Sequence, residues 1–177
     1  MRLFIAIEFN DMGEYLTNLQ KSIGLGSEVG NVSCFHLTLK FLGKVPKSNL
    51  NEIINKLKTI KFNGFSLELD KIGFFPNNNY VRVIWIGVEP KDKVILLQKK
   101  IESALSGMFE NEFDFYPHVT LARVKSINDR KSFFDSISNL TIEKRSVNVN
   151  KIKLIKSTLT PLGPVYEDME EFSCSAE

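Results

Sequence analysis

The chain contains two histidines, and each opens a His-x-Thr-Leu tetrapeptide: His36-Leu37-Thr38-Leu39 and His118-Val119-Thr120-Leu121. The two copies lie almost half the chain apart. On a β-strand, residues two apart share a face. Each phrase therefore sets an imidazole beside a hydroxyl, while Leu37, Leu39, Val119 and Leu121 point inward. An in-line displacement at phosphorus needs one proton taken from the incoming oxygen and one delivered to the departing oxygen, on opposite sides. Two histidines titrating near neutrality can hold one neutral and one protonated form together. Threonine hydroxyls can then hydrogen-bond the non-bridging oxygens without adding charge. A lone His-x-Thr on a strand is most simply structural, its ring satisfied by a backbone partner. Two copies at matching strand positions, using every histidine, reverse that reading. A zinc site fits poorly, because zinc takes three or four ligands and only Cys34 lies near a histidine on its face. No metal and no cofactor is expected.

The strands that must carry these phrases are legible around them. Leu3, Ile5, Ile7 and Phe9 alternate with Arg2, Phe4, Ala6 and Glu8, which is period two. Asp11 offers an N-cap for a helix through Tyr15, Leu16 and Leu19, ending near Gly24 or Gly26. FHLTLKFLG reads as a strand stopped by Gly43. Ser48 is placed to cap a second helix with the stripe Leu50, Ile53, Ile54, Leu57. FSLELDKIGFF is a further strand, and Pro76 to Asn79 a polar turn. The order then restarts. YVRVIWIGV is a strand, Pro90 opens a helix carrying Val94, Leu97 and Ile101, and PHVTLARV is a strand. Asn128 can cap a short helix through Phe133, SVNVNKIKLIKS reads as one long strand, and VYEDMEEF closes the chain after a turn at Pro161-Leu162-Gly163-Pro164. The expected fold is α+β and bilobed. Two β-α-β-α-β halves, about 1–76 and 80–157, with a closing strand about 164–172, form one domain of mainly antiparallel sheets flanking a central cleft.

Composition narrows the class. With 43% apolar and 25% charged residues, the chain is an ordinary globular one. No apolar run approaches the ~20 residues of a membrane span. MRLFIAIEF, broken by Glu8, reads as a first strand and not as a signal peptide. Cys34 and Cys174 are too few for a disulfide framework, so reduced thiols in a cytoplasmic protein are expected. A net charge of +2 makes any nucleic-acid contact local.

RLFIAIEF, FHLTLKFLG, FYPHVTLARV and STLTPLGPVY together resemble, in order and across essentially the whole chain, the RNA 2′,3′-cyclic phosphodiesterases. These are the LigT-like or 2′-5′ RNA ligase family of two-histidine phosphoesterases. The resemblance implies a hydrolase that opens RNA 2′,3′-cyclic phosphate ends to 2′-phosphates, with weak ATP-independent ligation in reverse. It implies that His36 is the proton donor to the departing 3′ oxygen and His118 the proton acceptor from water. Thr38 and Thr120 would hold the phosphate, and Arg123 would contact it. The partners implied are RNAs ending in a cyclic phosphate, tRNA fragments among them, and a role in tRNA processing. The chain is expected to be a monomer and to bind no membrane. The rival readings are a related phosphodiesterase acting on cyclic nucleotides or 2′-5′ oligonucleotides, and a non-catalytic RNA-end binding module.

Strand parity makes separate demands. Arg123 is odd where His118 and Thr120 are even, so it reaches the cleft only through a bulge or a strand end. Lys40 shares parity with His36 and Thr38 and could lie along the cleft floor. Phe41 stands where the second half has Arg123. Phe4, Phe41 and Tyr116 could stack a nucleobase. The groups Lys56, Lys58, Lys61 and Lys151, Lys153, Lys156 are solvated faces that could meet the RNA backbone.

Overall fold

The computed structural model describes residues 1–161 and 163–175. Nine strands alternate with four α-helices in these residues. The first part of the chain runs β1 (Arg2–Glu8), α1 (Gly13–Ser22), β2 (Ser27–Asn31), β3 (His36–Lys44), α2 (Leu50–Lys58) and β4 (Phe65–Asn77). The second runs β5 (Tyr80–Glu89), α3 (Lys91–Ala104), β6 (His118–Ile127), α4 (Arg130–Ser138), β7 (Ser146–Val149), β8 (Lys151–Thr160) and β9 (Gly163–Ser173).

The strands form two sheets, ordered β3-β1-β8-β9 and β2-β6-β5-β4-β7, and every pairing is antiparallel. Each sheet is built the same way. A His-x-Thr strand lies beside the first strand of its half, followed by the fourth strand of the other half. The two-lobed α+β architecture is thus interlocked, with β4 crossing to the second sheet and β8 to the first. β8 is therefore not continuous with β7: SVNVNKIKLIKS, expected as one strand, breaks at Asn150 and feeds both sheets. β2, an added edge on the second sheet, has no alternating pattern in SEVGN and was not expected.

The two faces of each sheet have different tasks. Leu3, Ile5 and Ile7 of β1, with Leu37, Leu39 and Leu42 of β3, join the main core beneath the helices. Phe4 and Ala6 face the other way, with Ile155 and Tyr166, in a small second cluster. α2 and α3 lay Ile53, Leu57, Val94, Leu97 and Ile101 against the core, the helical stripe that the sequence shows. Each fully buried aliphatic side chain of this kind is worth about 1.5–3 kcal/mol. Helix starts differ slightly from expectation. Asp129, not Asn128, caps α4, accepting from the Ser132 N–H at 3.2 Å. α1 and α2 begin after short 3-10 turns that absorb Asp11 and Ser48, and neither has a side-chain cap. In the closing turn, Leu162 lies outside the described residues.

Candidate active site

β3 and β6 bring the two His-x-Thr phrases to opposite walls of one cleft of about 820 Å³. His36, Thr38, Phe41, Tyr116, His118, Thr120 and Arg123 all line it. The alternation is as local geometry dictates: His36, Thr38, His118 and Thr120 are half-buried, while Leu37, Leu39, Val119 and Leu121 are fully buried behind them.

A β-bulge follows each threonine. Along β1–β3 the pairing steps from Ala6↔Thr38 to Ile5↔Lys40, and along β5–β6 from Trp85↔Thr120 to Ile84↔Ala122. Leu39 and Leu121 are the extra residues, and each reverses the facing of the strand residues beyond it. Arg123 consequently swings into the cleft. Its first-half counterpart Phe41 does the same and is 65% exposed there. Lys40 turns the other way, which corrects its expected place on the cleft floor. It is 2% exposed, its Nζ pairing with Glu102 of α3 at 2.7 Å and donating to the Glu110 carbonyl at 2.8 Å. Its second-half counterpart is the small, fully buried Ala122. A polar side chain from the first half braces the second bulge, and at the first bulge the brace is the Lys40–Glu102 pair, which Gln98 supports. Gln20 of α1 donates to the Leu121 carbonyl at 2.6 Å, and Gln98 of α3 donates to Glu102 at 2.9 Å.

The histidines are seated differently. His118 Nδ1 lies 2.7 Å from the Tyr116 carbonyl. A carbonyl only accepts, so Nδ1 carries the proton and Nε2 keeps a lone pair. His36 Nδ1 is buried and has no hydrogen-bond partner among the described residues. Burial lowers the His36 pKa to about 4, and the charges of Arg123 and His118 push it the same way. The Cys34 carbonyl favours protonation of this ring but stays outside hydrogen-bonding geometry. Burial also lowers the pKa of His118, opposed by the Tyr116 carbonyl and assisted by Arg123. Both rings are thus neutral at pH 7. Burial leads at both rings and the Arg123 charge adds to it, so an anion beside Arg123 would oppose only that added part.

Aromatic rings hold both imidazoles. Phe4 (4.9 Å between centroids) and Tyr166 (5.3 Å, edge-on) flank His36. Phe75 (4.8 Å, edge-on) and Trp85 (6.1 Å) flank His118. Phe4 is 3% exposed, which corrects its expected role: it supports His36 and offers no face to a base. Tyr116 lines the cleft, its ring packed on Trp85 and approached by the Lys91 ammonium at 5.3 Å. Sequence reasoning missed Tyr166, Phe75 and Trp85. They come from strands whose neighbours only the sheet order reveals, and one signal was present, since Tyr166 ends the STLTPLGPVY stretch. Burial raises the Cys34 thiol pKa, with Glu8 and Asp168 adding to it, so this half-buried cysteine stays protonated and is no nucleophile. A second cavity, of about 340 Å³, lies between Glu8 and Asn148 and holds neither histidine.

Comparison with known proteins matches this arrangement to one family. A model described as LigT like Phosphoesterase matches the chain twice, over residues 7–85 and 86–166. The chain belongs to the LigT-like phosphoesterases. It is 37% identical to an RNA 2′,3′-cyclic phosphodiesterase of Methanocaldococcus jannaschii, over 97% of this chain and 100% of its relative. It is 35% identical to one of Thermotoga maritima, over 97% and 94%. Among solved structures, Escherichia coli LigT in complex with 3′-AMP superimposes with a TM-score of 0.76 at 25% identity, over 99% of this chain and 98% of that one. No helix among the described residues is long and apolar enough to cross a membrane.

Proposed function

We propose that this LigT-like phosphoesterase hydrolyses RNA 2′,3′-cyclic phosphate ends to 2′-phosphates, without a metal. Water attacks phosphorus opposite the 3′ oxygen. A P–O bond to water forms as the P–O3′ bond breaks. His118 Nε2 takes the proton from water and His36 delivers one to O3′. Thr38 and Thr120 donate to the non-bridging oxygens, and Arg123 balances the phosphate charge. Among the described residues neither threonine hydroxyl has a hydrogen-bond partner, so both are free to donate. The unequal seating of the rings carries the reading. A Tyr116 carbonyl that fixes the Nδ1–H tautomer of His118 prepares a base, while His36 has no such constraint. The names of the relatives support the same reaction. A ribose 5′-hydroxyl in place of water gives a 2′-5′ linkage along the same path, driven by ring opening and needing no ATP. An RNA end, from a tRNA fragment among others, is the substrate, and the enzyme acts as a cytoplasmic monomer.

Replacing the 3′ oxygen by sulfur tests the roles. Sulfur departs with little protonation, so His36→Ala recovers much of its lost rate on that substrate. His118→Ala does not, because water must still be deprotonated. Selective rescue of His118→Ala would mean that the roles are exchanged. Turnover lost in EDTA and restored by one added metal would refute the metal-free mechanism.

A further inference from the structure

We propose that Arg2 and Lys44 form a second phosphate subsite, holding the RNA backbone upstream of the reacting end. The proposal deepens the cyclic phosphodiesterase reading and rests on it. β1 and β3 share a cleft-facing row in which Ala6 stands opposite Thr38, Phe4 opposite Phe41 and Arg2 opposite Lys44. A second register shift, between Leu3 and Phe4, returns Lys44 to this row after Leu42 has turned into the core. Gly43, at φ +69°, makes that turn. Arg2 and Lys44 are exposed, and no carboxylate pairs with either among the described residues. Like charges directly opposite on a sheet are destabilising. Here no protein counter-ion relieves them, whereas an anionic ligand does.

Four of the six lysines that the sequence offers as backbone contacts are engaged elsewhere. Lys151 pairs with Glu171, Lys156 with Glu167 and Lys58 with Glu170. Lys153 is enclosed by Glu8, Asp168 and Glu171; burial opposes its charge, and their hydrogen bonds more than offset this and raise its pKa. The cleft face of the first sheet is therefore polarised along β1. Glu8 stands opposite His36, Asp168 is level with Phe4 across Ile155 and turns to Lys153, and Arg2 and Lys44 stand beyond Phe41. A cyclic phosphate ends its strand, so the remaining RNA leaves in one direction only. Glu8 is compensated by Lys153, so attraction at the Arg2 end selects that direction. Four residues of β1 separate the Ala6–Thr38 level from the Arg2–Lys44 level, on the order of 13 Å. That distance admits a nucleotide whose base lies on the exposed Phe41 ring.

The test compares wild type with Arg2→Gln/Lys44→Gln on a nucleoside 2′,3′-cyclic phosphate and on a single-stranded hexamer ending in one. We expect kcat/KM on the mononucleotide to stay within about twofold. On the hexamer it falls about tenfold, mainly through KM, and its logarithmic salt dependence becomes shallower by about 1.4, for two released phosphate contacts. Arg2→Lys/Lys44→Arg restores the hexamer rate. Equal loss on both substrates, or none on the hexamer, overturns the subsite. If wild type turns over neither substrate, the hydrolase reading fails instead. The subsite is then judged by anisotropy titration of a labelled hexamer ending in a 2′-phosphate, where equal affinity for wild type and the double variant refutes it.

Discussion

Lys40→Met separates a lysine on the cleft floor from one that braces the fold behind it. Lys40 and Glu102 have side-chain exposures of 3% and 13%, and their charges meet at 2.7 Å. Methionine keeps the packing of the stem but removes both bonds of Nζ. The Glu102 carboxylate then retains only Gln98 Nε2 at 2.9 Å and the Glu112 N–H at 3.3 Å, both on its other oxygen. Breaking a buried ion pair from one side costs about 3–5 kcal/mol, and the two surviving donors place this case near the lower figure, about 3 kcal/mol. Adding Glu102→Gln removes the orphaned charge while an amide oxygen still accepts. The double variant should therefore be more stable than Lys40→Met alone, although it carries one more change. Urea unfolding followed by circular dichroism measures both. Turnover of a cyclic-phosphate RNA, at a temperature where each variant is folded, should stay within a few-fold of wild type. A Lys40→Met protein of full stability with kcat/KM reduced a hundredfold would refute the reasoning and put Lys40 on the phosphate.

His36→Ala and His118→Ala should each lose roughly 10²–10⁴-fold in turnover, the range for general acid–base groups, and the double variant much less than the product of the singles, because both act in one transition state; a single variant with near-normal steady-state rates refutes the pair. The folded pKa of His36, about 4, lies below the unfolded value of 6.5, so its contribution is full above pH 6.5 and is lost as pH falls toward 4. The loss reaches about 3 kcal/mol. Wild type and His36→Ala should thus converge in relative stability on acidification between pH 6.5 and 4, and a constant difference in denaturant unfolding across that window refutes it. Gly73→Ala places a Cβ within the Trp85 ring, and because Trp85 is buried and backs His118 it should cost about 1–3 kcal/mol. Lower turnover in the folded fraction should accompany it, and unchanged melting and unchanged kcat refute the contact.

Local, periodic information was sufficient to place the candidate reacting groups on one face. A strand alternates every residue, so His36 with Thr38, and His118 with Thr120, had to share a face once Leu37, Leu39, Val119 and Leu121 claimed the other. The helical stripes of α2 and α3 were legible for the same reason, since 3.6-residue spacing acts within one segment. Parity stops predicting at a bulge, and the groups that seat a bulge lie far away in the chain. Gln20 meets the Leu121 carbonyl, 101 residues on, and Glu102 receives Lys40, 62 residues back. Those partners are why Arg123 and Phe41 face the cleft while Lys40 does not. Sheet order is equally non-local. SVNVNKIKLIKS has strand character throughout, and only the competing edges of β4 and β1 divide it at Asn150. The aromatic seats of the histidines result from that division, because Tyr166 reaches His36 on β9 and Phe75 reaches His118 on β4, each brought over from the other half of the chain. The residues that can move protons were set by a two-residue repeat, and their orientation, burial and lowered pKa by which strands became neighbours.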